Sequence, residues 1–208
     1  MSKMDSDDLV CIVGMGECSI SKPKYTFEVL TAHHAACRLP GGVTSPSALW
    51  DFLMKKRSAQ GPIPEMRFNK AGFYDPDGNR AGVMNSDGGY FLQEDVRNFE
   101  NSFFGINNLE ATSMDPQQRK LLEVVFECLE NSGVPLDHIS GSNTGVYIGN
   151  FTLDYLSIQS HDLDSINRYS ATGTGTAILA NRISHVFNLQ GPRYVCFLRS
   201  SQGWSQLY

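Results

Sequence analysis

The sequence lacks a long apolar run, an excess of basic residues and a secretory leader. No stretch approaches the roughly 18 consecutive apolar residues of a membrane span, and residues 1–10 carry acids where a signal peptide has a basic region. Lysine and arginine total 17 against 22 aspartates and glutamates, a net charge of -5. This balance argues against broad attraction to nucleic acid or anionic membranes. We expect a cytoplasmic protein that binds neither.

Paired cysteine motifs are also missing. The five cysteines are odd in number and show no CxxC spacing; they are Cys11, Cys18, Cys37, Cys128 and Cys196. Neither a disulfide framework nor a zinc site is indicated, and most of these thiols are expected in a core. One glycosylation sequon begins at Asn150, but it requires secretion to be used.

The composition is that of a folded chain of 208 residues, with 41% hydrophobic and 19% charged side chains. Disorder throughout is therefore excluded. Apolar runs predict strands at 9–15 and 144–149, and helical spacing predicts helices near 46–57, 116–132, 154–159 and 171–189. Strands that alternate with helices indicate an α/β fold. Between them, residues 61–92 are dense in glycine, proline, asparagine and aspartate, which predicts a long irregular segment.

The strongest local prediction is the helix after Asp115. Asp115 is a good N-cap, Pro116 suits the first helical position, and Gln118 would complete a capping box. Gly133 supplies a left-handed stop. A second helix is predicted after the N-cap Ser45, with one apolar face formed by Leu49, Trp50, Leu53 and Met54.

Two glycine motifs resemble nucleotide-binding loops and fail as such. Gly14-Met15-Gly16 follows a strand, but Ser19 replaces the third glycine and Pro23 interrupts the helix that would hold a pyrophosphate. Gly173-Thr174-Gly175 lacks the GKS/T ending of a phosphate loop. Close packing of the backbone is the better reason for its glycines.

Histidines and serines do not form a catalytic set in the sequence. His33 and His34 are adjacent, with no accompanying ligand set, while His138 and His161 are scattered. His185 is predicted on an apolar helical face, as a core histidine. No GxSxG nucleophile elbow is present. The residues by themselves therefore assign no catalytic, cofactor-binding or metal-binding site.

The order of short motifs along the chain carries a family resemblance. The series runs IVGM, ACRLPGG, LW, FYDPD, GGYFL, FFGI, MDPQQR, ECLENSG, TGVYIG, DY, ATG, NRIS and GP. In this order the chain resembles β-ketoacyl synthase domains, most closely the ketosynthase at the front of fungal highly reducing type I polyketide synthases. The resemblance covers residues 9–15 and 36–194.

The resemblance implies a thiolase-like α/β fold, here incomplete, in a homodimer. Such enzymes use a cysteine nucleophile and two histidines to condense an acyl chain, taken from a phosphopantetheinyl acyl carrier protein, with a malonyl thioester. A helix N-terminus makes the cysteine a thiolate near neutral pH. The resemblance implies no cofactor bound by the domain itself. By analogy, Ala171, Thr172 and Gly173 are a possible remnant of the acyl channel or of a dimer contact.

The chain departs from the family pattern after Pro192. Cys196 comes too early to be the nucleophile and lacks small flanking residues, while Ser200, at the expected spacing, has no adjacent base. We therefore predict part of a ketosynthase domain over 9–194 followed by a non-homologous tail at 195–208. Such a chain lacks the nucleophile and both histidines and would be inactive; the alternative is a noncatalytic dimerisation module that pairs with an intact synthase.

A second departure is an insertion at 16–35, which splits an otherwise continuous GMACRLPGG. Possible codons for Gly16-Glu17-Cys18 and Val195-Cys196 contain splice-donor sequences, so both departures are hypothesised to be translated introns. The rivals are a truncated paralogue with a loop insertion and a frameshift near residue 194. An unfinished sheet would expose apolar faces and unpaired strands, so we expect the isolated chain to aggregate.

Overall fold

The structure is a computed structural model that describes residues 12–14, 35–78, 80–162, 164 and 166–197, with the backbone alone at 12–14 and 197. The chain divides into two compact units, Ile12–Val96 and a second one from Arg97 onward. The predicted insertion lies outside the described residues apart from Ala35. So do the motif at Gly16, the histidine pair at 33–34 and Ser200.

The described residues of the first unit form four short strands and one α-helix. They are β1 (Ile12–Gly14), β2 (Ala35–Cys37), α1 (Pro46–Met54), β3 (Gln60–Pro62) and β4 (Gly88–Tyr90), with a 3₁₀ turn at Lys70–Gly72. β1 pairs in parallel with β2, and β3 pairs antiparallel with β4. The second pair joins the ends of the predicted irregular segment, a contact that its glycine-rich sequence did not predict. The buried apolar residues of this unit are Ala36, Cys37, Val43 and Ile63.

Helix α1 begins as predicted and leaves its apolar face uncovered. The Ser45 side chain accepts a hydrogen bond from the amide of Ala48, and Pro46 occupies the first turn. Trp50, however, is 65% exposed, and Leu53 and Met54 are also exposed.

Among its described residues, the second unit contains six α-helices and one strand pair. The elements are α2 (Asn108–Ser113), α3 (Pro116–Ser132), α4 (Leu136–Ile139), β5 (Val146–Asn150), α5 (Asp154–Ser160), α6 (Ser170–Thr174), α7 (Ile178–Val186) and β6 (Arg193–Phe197). β5 and β6 are parallel, and α7 packs against both strands as well as against α3. Strands and helices alternate here as the α/β prediction requires.

Helix α3 forms the centre of this unit and has the predicted bounds. The Asp115 carboxylate accepts from the Gln117 amide over 2.8 Å, and Gly133 ends the helix with φ 69°. Its buried apolar side chains are Leu121, Leu122, Val124, Val125, Cys128 and Leu129. Phe126 contacts Phe103 edge to face at 4.8 Å between ring centroids, which adds aromatic packing beside the helix.

The helix expected within 171–189, after an opening of small residues, is confirmed as α7. Gly175, which is extended with ψ 124°, separates it from the short helix α6 in that opening. One prediction for this part of the chain is wrong. His185 is exposed, not part of a core. The predicted strand at 144–149 and the short helix at 154–159 are confirmed as β5 and α5.

Candidate functional site

The residues predicted as an acyl-channel or dimer-contact remnant lie in helix α6. Ala171 and Thr172 are exposed, whereas Gly173 is buried. The structure places this segment against the N-terminal end of α3. We call the residues that meet here the α3 junction: Glu110, Asp115, Gln118, Thr172, Gly173 and Arg182.

Gly173 lies where two backbones touch. A Cβ atom at this position would come within 2.2 Å of the Ser113 carbonyl oxygen, a distance that no side chain tolerates. The Gly173 carbonyl accepts a hydrogen bond from the Asp115 amide over 2.8 Å. The prediction that this glycine serves close backbone packing is confirmed.

Gln118 joins α3 to α6 and α7, and the predicted capping box is wrong. Its Nε2 donates to the Thr172 carbonyl over 3.1 Å, and its Oε1 accepts from Arg182 Nε over 2.8 Å. In a capping box this side chain would accept the N-cap amide. That amide, of Asp115, is bonded to Gly173 instead.

Arg182 completes the junction with a nearly buried ion pair. Its Nη1 donates to Glu110 Oε1 over 2.7 Å, and its side chain is 8% exposed. The guanidinium thus links α7 to both α2 and α3. Sequence reasoning missed this pair because its members are 72 residues apart, although an arginine among the apolar residues of α7 was a usable signal.

Burial raises the pKa of the Asp115 carboxyl above its usual range. Desolvation is the main cause. The hydrogen bond from the Gln117 amide and the positive charge of Arg119 oppose it by favouring the carboxylate, and Asp154 adds to the rise. A carboxyl with a raised pKa is common at functional sites, and buried hydrogen-bond networks such as this one produce the same shift.

A shallow groove of about 430 Å³ adjoins this region in the second unit. Its lining residues are Thr112, Ser113, Tyr155, Ile158, Gln159, Asp162 and Asn167. The Tyr155 hydroxyl donates to the Thr112 carbonyl, and Asn167 Nδ2 donates to Ser113 Oγ over 2.7 Å. The first bond links α5 to α2, and the second links the segment before α6 to α2. The lining contains no cysteine or histidine.

The described residues do not form a metal centre. They contain no group of three or more histidine, cysteine, aspartate or glutamate side chains placed to hold an ion. Cys37 and Cys128 are buried, as expected of core thiols, while Cys196 is exposed in mid-strand. The sequon residue Asn150 is 4% exposed and donates to Gln117 Oε1, so its side chain serves packing.

No described helix is both long and apolar enough to cross a membrane.

Comparison with known proteins shows which protein family has this sequence pattern. The family model "Beta-ketoacyl synthase, N-terminal domain" matches residues 35–196. The highly reducing polyketide synthase virA of Hypocrea virens is 63% identical over 165 residues, and fogA of Aspergillus ruber is 55% identical over 189. These matches cover 79% and 91% of the chain. The chain spans only 7% of the length of each relative.

Solved ketosynthase structures share the fold. The oxazolomycin ketosynthase domain OzmH KS7 of Streptomyces albus is 30% identical with a TM-score of 0.67, and the match covers 78% of this chain and 28% of that one. The ketosynthase from module 6 of the Bacillus subtilis bacillaene synthase is 28% identical with a TM-score of 0.58, over 76% of this chain and 24% of that one.

Proposed function

Because this chain belongs to the β-ketoacyl synthase family, with the thiolase-like fold of ketosynthase domains, we propose that it represents an N-terminal portion of a polyketide ketosynthase that does not condense acyl chains by itself. Family membership is the observation that carries the proposal. In the intact family the reaction is a decarboxylative condensation of acyl and malonyl thioesters. The structural match to the OzmH KS7 ketosynthase covers 28% of that chain.

The positions of the cysteines support the proposed inactivity. The family's nucleophile needs a turn at a helix N-terminus, which lowers the thiol pKa. Cys37 and Cys128 are buried, and Cys196 lies in β6 opposite Gly149, within a regular parallel pair. Among the described cysteines, therefore, none occupies a nucleophile turn.

The proposed partners follow from the family. They are an acyl carrier protein with its phosphopantetheine arm, acyl and malonyl thioesters, and a second ketosynthase copy in a homodimer. The relatives are polyketide synthases, whose carrier-bound substrates support the phosphopantetheine proposal. The domain itself would bind no cofactor, and its proposed location is the cytoplasm.

The site proposal keeps Ala171, Thr172 and Gly173 as a remnant of the acyl channel or of a dimer contact. Both exposed side chains, those of Ala171 and Thr172, are available to a partner, while Gly173 holds the segment against α3. A Thr172→Arg substitution would weaken association between copies if the segment is a dimer contact. An unchanged oligomeric state would overturn the dimer-contact assignment.

The domain limits are likewise proposed as 9–194 with an insertion at 16–35 and a tail at 195–208. The family match begins at residue 35, but it extends to 196, and β6 reaches Phe197. The parallel β1–β2 pair needs a crossover between its strands. Removal of residues 16–35 would join Met15 directly to Ala36 and abolish the pairing of β1 with β2. Transcript sequencing would show whether residues 16–35 are part of the protein, and so whether this strand pair forms.

An acyl-transfer assay tests the inactivity. The 208-residue chain is incubated with an acyl-loaded carrier protein and examined by intact mass, alongside its Cys196→Ser variant and the intact virA ketosynthase domain as a positive control. We expect acylation of the control only. A covalent acyl adduct on the chain, absent from Cys196→Ser, would show that the inactivity proposal is wrong.

A second candidate function is a noncatalytic module that pairs with an intact synthase. The uncovered apolar face of α1, with Trp50, Leu53 and Met54 exposed, favours this candidate. Co-purification of the tagged chain with the intact virA ketosynthase domain would support it, and recovery of the chain alone would remove it.

A further inference from the structure

Three consecutive basic residues follow helix α1 and directly precede a serine. Lys55, Lys56 and Arg57 come immediately after the helix, and Ser58 is the next residue. The sequence contains no other run of three lysines or arginines, and residues 52–64 contain no aspartate or glutamate. In a chain with a net charge of -5, this segment is therefore a local excess of positive charge beside a hydroxyl group.

The positive charges of this segment are hardly neutralised within the described part of the chain. All three side chains are exposed. Lys55 reaches Asp51 only over 3.9 Å, an exposed pair that contributes little. None of the ion pairs among the described residues involves Lys56 or Arg57. The Arg57 guanidinium lies 4.8 Å above the Phe52 ring, a contact that positions the cation without cancelling its charge.

The Ser58 hydroxyl faces solvent and retains a free proton. The residue is exposed, and residues 57–59 lie outside any helix or strand. Ser58 Oγ accepts a hydrogen bond from the Gln60 amide over 3.2 Å. This bond uses a lone pair of the hydroxyl oxygen and leaves the O–H group available as a donor. The oxygen can therefore be reached by an enzyme that removes this proton.

The end of helix α1 can open without loss of a core contact. The helix contains no buried residue, so little apolar packing holds its last turn. Local opening of such a segment costs little free energy. The three cations and Ser58 can accordingly enter the groove of another protein together.

We propose that Ser58 is a phosphorylation site for a protein kinase whose substrate groove is acidic. Carboxylates in that groove would attract Lys55, Lys56 and Arg57 and so bring Ser58 to the catalytic aspartate of the kinase. Ser58 Oγ forms a bond to the γ-phosphorus of ATP, the bond from this phosphorus to the β,γ-bridging oxygen breaks, ADP leaves, and the kinase aspartate takes the hydroxyl proton. The product carries a charge of about -2 at pH 7 beside three cations that can donate charge-assisted hydrogen bonds to it.

Phosphorylation of the full chain tests the proposal. The 208-residue chain, at submicromolar concentration, is incubated with ATP and one of three kinases. The catalytic subunit of cyclic-AMP-dependent protein kinase and protein kinase C select basic substrates, whereas casein kinase 2 selects acidic ones. We expect phosphate at Ser58, located by peptide mass, with the first two and none there with the third. Absence of phosphate at Ser58 with both basic-selecting kinases, or equal incorporation by casein kinase 2, would overturn the proposal.

Ser58→Ala should remove this phosphate from the peptide that contains residue 58. Ser86→Ala is the matched control, because Ser86 is also an exposed serine of the first unit but follows Met84 and Asn85 instead of basic residues. Its phosphorylation at Ser58 should equal that of the unsubstituted chain. A loss of Ser58 phosphate as large in the control would show that the assay does not depend on this site.

Removal of the three charges tests the recognition. Lys55→Gln, Lys56→Gln and Arg57→Gln together should slow phosphate incorporation at Ser58 by about tenfold or more, because opposite charges steer such encounters. Arg80→Gln with Arg168→Gln removes exposed positive charge elsewhere and should leave the rate unchanged. Equal rates of the triple variant and this control would contradict the proposed role of the basic residues.

Trypsin measures the access of an enzyme to this segment independently of the choice of kinase. In a brief digestion at submicromolar concentration, cleavage after residues 55–57 should be at least about tenfold faster than cleavage after Lys120 or Arg182, which are buried. Comparable rates would show that the segment is closed and would overturn the proposal. None of these measurements involves acyl transfer, so the proposed inactivity and the phosphorylation site fail independently.

Discussion

The guanidinium of Arg182 donates from Nη1 to the carboxylate of Glu110 over 2.7 Å and so joins helices α7 and α2 through two residues that are 72 positions apart in the sequence. The same side chain donates from Nε to Gln118. The amide group of Gln118 in turn donates to the Thr172 carbonyl. Arg182 therefore orients the Gln118 side chain that connects α3 to α6.

Replacement of Arg182 by methionine should therefore destabilise the α3 junction. Removal of one member of a buried ion pair leaves the other uncompensated and costs about 3 kcal/mol. Hydrogen exchange at α2 and α7, followed by mass spectrometry at submicromolar concentration, should become at least about tenfold faster. Lys55→Met is the control, because the Lys55–Asp51 pair is exposed and contributes under about 1 kcal/mol. Equal effects of the two substitutions would contradict the role of Arg182.

Gly173→Ala should separate α6 from the start of α3. The new methyl group would meet the Ser113 carbonyl at 2.2 Å, so the backbones must move apart and strain the bond from the Asp115 amide to the Gly173 carbonyl. We expect a loss of about 3 kcal/mol, at the upper end for overpacking. The measurement is hydrogen exchange in the first turn of α3.

Gly72→Ala provides the matched control for that substitution. A Cβ atom at Gly72 meets nothing within 4 Å. Its exchange pattern should match the unsubstituted chain, and an effect as large as that of Gly173→Ala would show that the loss comes from the alanine itself.

Asp115→Asn should remove a free-energy cost of burying the Asp115 carboxylate, a cost that grows as the pH rises. A carboxyl whose folded pKa is raised stabilises the fold below its unfolded pKa, and that contribution is lost as pH rises through the folded pKa. Asparagine keeps an N-cap acceptor without the charge. The ratio of α3 protection, variant over unsubstituted chain, should therefore be greater at about pH 7 than at about pH 4. A ratio independent of pH would show that Asp115 does not titrate in this way.

The isolated chain should associate at micromolar concentration. The exposed apolar side chains of α1 and the exposed rings of Tyr147 and Tyr194 favour contact between copies, and within the described residues β5 and β6 pair only with each other. Sedimentation velocity should show species larger than a monomer, with no sharp thermal transition. A soluble monomer with a cooperative two-state melt would refute this expectation.

Local capping explains why α3 could be predicted closely. Asp115, Pro116 and Gly133 act on backbone groups a few residues away, so their effect is present in the sequence itself. The same reasoning failed for Gln118. Its amide had a local partner available in sequence but bonds to Thr172 and Arg182, which are 54 and 64 residues away.

The sequence alone determined the family, the α/β class and the bounds of α3, because motif order and capping are properties of short segments. Only the tertiary structure decided the α3 junction, the break between α6 and α7, and the parallel pairing of β5 with β6. These features depend on contacts between residues that are distant in the sequence. Burial then makes the loss of the Arg182–Glu110 ion pair costly in free energy of unfolding, and it raises the pKa of Asp115.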